Sequence, residues 1–292
     1  MYASTGSDGR GTVLYTGYYT PELDASPVRD EAHPFAIYAM PDDVVTAELG
    51  LFRPKYMNDR LSGMVVDGRY VPYFSRKEIE DGALSGRGLE LAWCKDPVEL
   101  FFMHVQGSGV LAYPDGTRKH ANYAGANGRP YRSIGRLLIE RRKATLDKMS
   151  LSFIQTYLRL HPEEAGEIMD YNESYVFFRL EDDGPFGSTG VPVTPERSVA
   201  VDNSLFPAGA LAFIETEVPV FTDGKPDGWE PYSRFVMAQD TGGAIKTAGR
   251  ADIYFGSGEL ARLRAGYMRR EGRLYFLAGN AKSVKEPDGA GR

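Results

Sequence analysis

Three aspartates stand in glycine-rich or turn-forming sequence toward the end of the chain. They are Asp202 in VAVDNSLFPAG, Asp240 in MAQDTGGAIK and Asp252 in GRADIYFG. A carboxyl group set among apolar and aromatic residues loses solvation of its ionised form, and its pKa rises. Asp252, between Ala251 and the run Ile253-Tyr254-Phe255, is expected in such a setting. A carboxyl still protonated near neutral pH beside a cleft can protonate a glycosidic oxygen. The same residues can instead cap turns and accept backbone amides. That reading is preferred for Asp202, which precedes Asn203 and Ser204. For Asp240 and Asp252 the local sequence leaves both roles open.

Other segments offer groups that suit a polyhydroxylated ligand. Tyr18-Tyr19-Thr20-Pro21 ends a strand-like run with two rings and a hydroxyl. Gln106-Gly107-Ser108-Gly109 offers an amide and open backbone, and Tyr123 to Gly128 adds a ring and Asn127. Gly242, Gly243 and Lys246 lie between Asp240 and Asp252. Rings pack on the C–H faces of sugars, and amides supply both donor and acceptor. Core tyrosines and turn asparagines would leave the same sequence pattern.

Several chemistries are disfavoured. His33, His104, His120 and His161 are far apart and none has a metal-ligand spacing, so no metal site is expected. QGSGV lacks the spacing of a serine-hydrolase elbow. Gly256-Ser257-Gly258-Glu259-Leu260-Ala261 fits G-x-G-x-x-A between a strand and a helix, yet only one further strand follows. A dinucleotide site needs a complete βαβ unit, so no cofactor is expected. A net charge of −6 argues against a nucleic-acid partner. The four cations among Arg136–Lys143 read as the solvated face of a helix. Cys94, the single cysteine, reads as a buried strand thiol. No apolar run approaches a membrane span, and the first residues do not read as a signal peptide.

The elements that must carry these groups are mostly strands. Glycine is over-represented, 33 of 292 residues, against a usual share of about 7%. With 18 tyrosines and 15 phenylalanines this points to turn-rich β-structure. Residues 11–19 and LELAWC (89–94) read as strands, and Pro114-Asp115-Gly116 as a turn between two short ones. Ser133 is placed to cap a helix with Ile134, Leu137 and Leu138 on one face. Leu151, Ile154 and Leu158 repeat the spacing, and Pro162 opens a further helix. YVFFRL (175–180) returns to strand. Residues 181–195 read as a linker, followed by short strands with one helix at 258–266. The length suggests two domains.

Together these motifs resemble the membrane-bound lytic murein transglycosylase A family. The residues that carry the resemblance are YTGYYTP (15–21), EIEDGAL (78–84), VQGSG (105–109), YAGANGRPYRSIG (123–135), YVFF (175–178), VDNSLFPAG (201–209), AQDTGGAIK (238–246), ADIYFGSG (251–258) and AGYM (265–268). They run through nearly the whole chain. The stretch between Asp240 and Asp252 is one residue longer than the family's pattern.

The resemblance implies a mainly β protein: a double-psi β-barrel with the three aspartates, residues 1–21 and 185–292. A second β-rich domain with a few helices, residues 22–184, would be inserted into it, with a deep groove between. The implied reaction cleaves the β-1,4 bond between N-acetylmuramic acid and N-acetylglucosamine in peptidoglycan and leaves a 1,6-anhydro end. Asp252 would be the single acid/base, with Asp240 in support and Lys246 stabilising negative charge. Tyr18, Tyr19, Thr20, Gln106, Gly107, Ser108, Tyr123, Asn127, Gly242 and Gly243 would line the groove, and Asp202 would be structural. The partners implied are peptidoglycan strands and other cell-wall enzymes, for a monomer in the periplasm. The family's outer-membrane lipid anchor would lie outside this sequence. Two other functions use the same groove: a non-catalytic, expansin-like glycan-binding protein, or a hydrolase using two carboxylates.

Overall fold

The computed structural model describes residues 1–278 except 58, 147 and 244. Ala244 of the GGAIK segment, Gly279 at the end of RLYFLAG and the polar tail beyond lie outside the described residues.

The barrel half comprises β1 (Tyr2–Ala3), β2 (Val13–Thr20) and, much later, β12 (Ser198–Ala200), β13 (Leu211–Thr222), β14 (Lys225–Asp240), β15 (Arg250–Ser257) and β16 (Arg269–Phe276). The strand order is β16-β13-β14-β12-β15-β2, and pairing of β2 with β16 closes it into a six-stranded barrel. β12–β14 and β15–β2 are parallel pairs, and β1 adds to β16. Closure removes the open edges that a flat sheet of this length would expose.

Period-2 alternation decides what faces where. Val13, Tyr15 and Tyr19 of β2, Ala251, Ile253 and Phe255 of β15, and Ile214, Val236 and Leu274 are buried in one cluster. Helix α6 (Glu259–Tyr267) packs on it through Ala261 and Ala265. A Cβ on Gly17 would lie 2.5 Å from the Phe255 ring and 3.0 Å from Ala265 Cα, so glycine there admits the helix.

Between β2 and β12 the chain builds a second body. β3 (Glu22–Ser26), β4 (Phe35–Tyr38), β8 (Glu90–Cys94), β9 (Gly109–Ala112), β10 (Arg118–Ala126) and β11 (Val176–Glu181) form a sheet ordered β11-β10-β9-β3-β8-β4. β5 (Val45–Glu48), β6 (Arg60–Val66) and β7 (Arg69–Pro72) form a separate three-stranded sheet. Helices α1 (Arg76–Glu78), α2 (Pro97–Gln106), α3 (Ile134–Glu140), α4 (Leu151–Leu160) and α5 (Pro162–Asp170) complete it. The passage from barrel to insert takes one residue, Pro21.

Helix α2 is the element that the apolar run ELFFMHVQ concealed. Asp96 Oδ1 accepts the Val98 amide at 2.7 Å, Pro97 fills the first turn, and Gly107 ends the helix at φ 84°. Val98, Leu100, Phe101, Phe102, Met103 and His104 are all buried, so no polar face marks the helical period. Ser133 accepts the Arg136 amide at the start of α3. The cations after it pair with acids, Arg136 with Glu140, Arg141 with Glu167 and Lys143 with Glu164. Burial pushes the Cys94 thiol up to about 12, which leaves it an inert core group.

Candidate active site

A groove runs between the two bodies. One cavity, of 580 Å³, is lined by Tyr18, Gln106, Ser108, Tyr123, Asp240 and Lys246. A second, of 440 Å³, reaches Asp252. The two share Tyr18, Gln106, Gly107, Tyr123, Thr241, Gly242 and Gly243 and are therefore one channel. A larger cavity, of 970 Å³, continues past Thr16 and Gly17 to Trp229 and Arg269.

Asp252 sits on β15 with its side chain away from the barrel core, because Ala251 and Ile253 take the inward positions. Its direct partners are polar, which corrects the expectation of an apolar surround. Oδ1 accepts the Thr16 hydroxyl, and Thr16 Oγ1 accepts Arg250 Nη2 at 3.1 Å. Thr16 lies opposite Asp252 in the parallel β15–β2 register. The deep position of Asp252 pushes its pKa above the usual carboxylate range. Thr16 and Arg250 oppose that rise, and Asp240 adds to it.

Asp240, the last residue of β14, is tied down at both oxygens. Oδ2 accepts the Tyr18 hydroxyl at 2.9 Å; Oδ1 accepts the amides of Ser188 at 3.0 Å and Thr241 at 2.8 Å. Burial raises its pKa against these three bonds. Burial also pushes the Tyr18 phenol well up, so it stays a donor to Asp240. Asp202 lies behind the groove wall, where it accepts Ser204 Oγ at 2.6 Å and the Thr247 amide at 2.9 Å. Chiefly the Ser204 bond lowers its pKa, so Asp202 ties the loop after β12 to the loop carrying Lys246 while ionised.

The remaining positions divide. Gln106 turns its carbonyl oxygen to the Tyr19 amide at 3.0 Å, which leaves its NH2 as the donor in the channel. Tyr123 is half exposed there. Tyr19, Thr20 and Asn127 do not line it. Tyr19 points into the barrel core by strand alternation, and Thr20 is buried against the Tyr254 hydroxyl at 2.7 Å. Asn127 is fully buried inside the insert, with Nδ2 donating to Phe74 O and Glu173 O, both at 2.8 Å. Of the motif glycines, Gly107, Gly242 and Gly243 face the channel. Gly109, Gly125, Gly128 and Gly256 are instead needed where Met103, Met40, Ser62 and Pro195 crowd them.

Sequence reasoning missed Thr16, Arg250 and Ser188. Thr16 and Arg250 share strand parity with Tyr18 and Asp252, a signal that was present. Ser188 lies in the segment read only as a linker, which in fact walls the channel beside Asp240. Of the histidines, only His104 reaches the channel, held by Arg76 Nη1 at 3.0 Å from Nδ1. Arginine only donates, so Nδ1 accepts, and burial keeps the ring neutral. His161, Glu163 and Glu164 come close together, but Glu164 is committed to Lys143 and Tyr157 and none of the three lines the channel.

A closed six-stranded barrel, a second β-rich body and acids sunk in the groove between them define a mainly β, groove-forming protein. Residues 14–179 match the MltA specific insert domain and residues 197–278 the 3D domain. The membrane-bound lytic murein transglycosylase A of Escherichia coli K12 is 36% identical over 275 residues, 93% of this chain and 67% of that one. That of Vibrio cholerae is 34% identical over 276 residues, again 93% and 67%. A lytic murein transglycosylase structure from Agrobacterium tumefaciens superposes with a TM-score of 0.78 at 34% identity, covering 92% of this chain and 76% of that one. E. coli MltA with bound chitohexaose gives 0.76 at 34% identity, covering 93% and 73%. The chain belongs to the membrane-bound lytic murein transglycosylase A family, enzymes that cleave peptidoglycan as lyases.

Proposed function

We propose that the chain cleaves the β-1,4 bond between N-acetylmuramic acid and N-acetylglucosamine and leaves 1,6-anhydromuramic ends, with Asp252 as its single acid/base. Protonated Asp252 gives its proton to the glycosidic oxygen as the C1–O bond breaks. The muramyl C6 hydroxyl oxygen then bonds to C1 and returns its proton to Asp252. No water is consumed, and the enzyme ends as it began. Ordinary glycosidases need two carboxylates because a second must activate water or form a covalent bond. Here the substrate brings its own nucleophile.

The observation that carries this reading is the contrast between the two acids. Asp252 has one oxygen bonded to Thr16, whereas Asp240 accepts three donors across both oxygens. That favours one working carboxyl, with Asp240 fixing the Ser188 and Thr241 loops around it. Tyr18, Tyr123, Gln106 and Ser108 would hold the glycan strand, in line with the chitohexaose bound by E. coli MltA. Lys246 is exposed at the channel wall and would meet negative charge on the substrate. We assign residues 1–21 and 185–292 to the barrel domain and 22–184 to the insert, in a monomer. The relatives are named membrane-bound, which supports a membrane-associated periplasmic enzyme. Among the described residues no helix is long and apolar enough to cross a membrane.

Mass spectrometry of digested murein tests the reaction. Anhydromuropeptides are expected, and Asp252→Asn should lower their release about a thousandfold. Reducing muramic ends would instead mark a hydrolase. Glycan binding without any cleavage would mark an expansin-like protein.

A further inference from the structure

We propose that Arg250 and Thr16 are positioning residues that fix which oxygen of Asp252 carries the catalytic proton. The inference rests on the reading of Asp252 as acid/base.

Arg250 has only donors, so the Thr16 hydroxyl oxygen must accept from it. Thr16 has a single hydroxyl proton, and the Asp252 Oδ1 contact takes it. The direction of the whole chain is therefore set from one end: guanidinium to hydroxyl to Oδ1. An oxygen that already receives a proton donor is the poorer site for a second proton. Protonated Asp252 thus carries its hydrogen on Oδ2, to which no hydrogen bond is made among the described residues. Asp252 keeps part of its surface open to the groove, so the free oxygen is the one substrate can reach. Neither Arg250 nor Thr16 need touch the sugar.

The arrangement also tunes the acid. Around Asp252, β15 contributes Arg250 and Tyr254, β2 contributes Thr16 and Tyr18, and β14 contributes Asp240. On β12 the register partner is the uncharged Ala200, and on β16 Arg269 is the register partner of Thr16. Tyr123, Tyr131 and the neutral His104 line the same cavity. Among the described residues, the Thr16 bond and the Arg250 charge counter burial and Asp240 at this carboxyl. The acid must both give and retake a proton within one turnover, which requires a pKa near the working pH.

The test uses the whole chain with 13C-carboxyl-labelled aspartate, the Asp252 signal being assigned by its loss in Asp252→Asn. Thr16→Val and Arg250→Met should each move the Asp252 titration upward, and Thr16→Ser should return it to the wild-type position. In murein digestion both variants should lose about tenfold or more in kcat, with KM within about twofold and the basic limb of the pH profile moved upward. An unmoved titration in both variants overturns the inference, as does a rise in KM alone. If the wild type releases no anhydro ends, the functional reading fails while the titration still decides the positioning claim.

Discussion

Replacing Asn127 with alanine separates scaffold from groove. The side chain is fully buried and makes four hydrogen bonds. Nδ2 bridges the carbonyls of Phe74 and Glu173, each at 2.8 Å; Oδ1 accepts the amides of Tyr175 at 2.9 Å and Arg129 at 3.2 Å. Alanine leaves the buried Tyr175 N–H without its partner, a loss of about 1–3 kcal/mol. The two carbonyls keep a second lone pair, so each adds toward the lower end of that range, and the Arg129 amide sits nearer water. The sum is about 3–5 kcal/mol, a large fraction of the roughly 5–15 kcal/mol that holds a protein folded. The two tryptophans report separately, Trp93 on β8 of the insert and Trp229 on β14 of the barrel. Urea unfolding followed in Trp93→Phe and Trp229→Phe backgrounds should show the insert transition falling to lower denaturant. Chitohexaose affinity of the folded protein should stay within about twofold, since Asn127 itself does not line the channel. A stability loss below about 1 kcal/mol, combined with binding about tenfold weaker, would refute the reasoning and return Asn127 to the groove.

Other outcomes follow from the same contacts. Asp252 holds its proton more tightly when folded than unfolded, so its contribution to stability is full below the ordinary carboxylate range and is lost as pH rises through the folded value. Asp252→Asn should therefore match wild type in melting temperature at low pH and exceed it at neutral pH; a gap that closes with rising pH contradicts the assignment. Gly128 has φ 75°, and a Cβ there would lie 2.5 Å from Ser62 O. Gly128→Ala should cost about 1–2 kcal/mol from the backbone conformation alone, read in the insert's urea transition. A stability equal to wild type would show that the turn can rearrange.

The parts legible in the sequence were those set by local chemistry. Alternation in GTVLYTGYY gave β2, and the i, i+3, i+4 spacing with Ser133 and Pro162 gave α3 to α5. Helix α2 escaped because burial on nearly every side erased its period, although Asp96 and Pro97 were proper start signals. The acids of the groove could be nominated from their flanks, but their partners could not. Thr16 meets Asp252, and Ser188 meets Asp240, through strand register and loop course, which depend on residues far away in the chain. Asn127 looked like a ligand-binding amide because a buried backbone clamp and a sugar clamp use the same side chain. Its burial is a property of Phe74, Glu173 and Tyr175. The motif glycines Gly109, Gly125, Gly128 and Gly256 carry no sign in the sequence that neighbouring side chains and backbone, not a ligand, occupy the space a Cβ would fill.

The closure of the barrel by β2 and β16 also bears on the order in which the protein folds. Thr16 and Arg269 are register partners 253 positions apart. As the chain emerges, β2 has no barrel partner until β15 and β16 have been made, whereas the insert's strands find theirs beforehand. Contacts of such long separation form slowly, because loop closure costs entropy before pairing repays it. Until then β2 is an open edge able to pair with another chain. The Thr16–Asp252 contact spans 236 positions, so it also forms late. A nascent or truncated chain ending before β15 would lack the Thr16–Asp252 contact altogether.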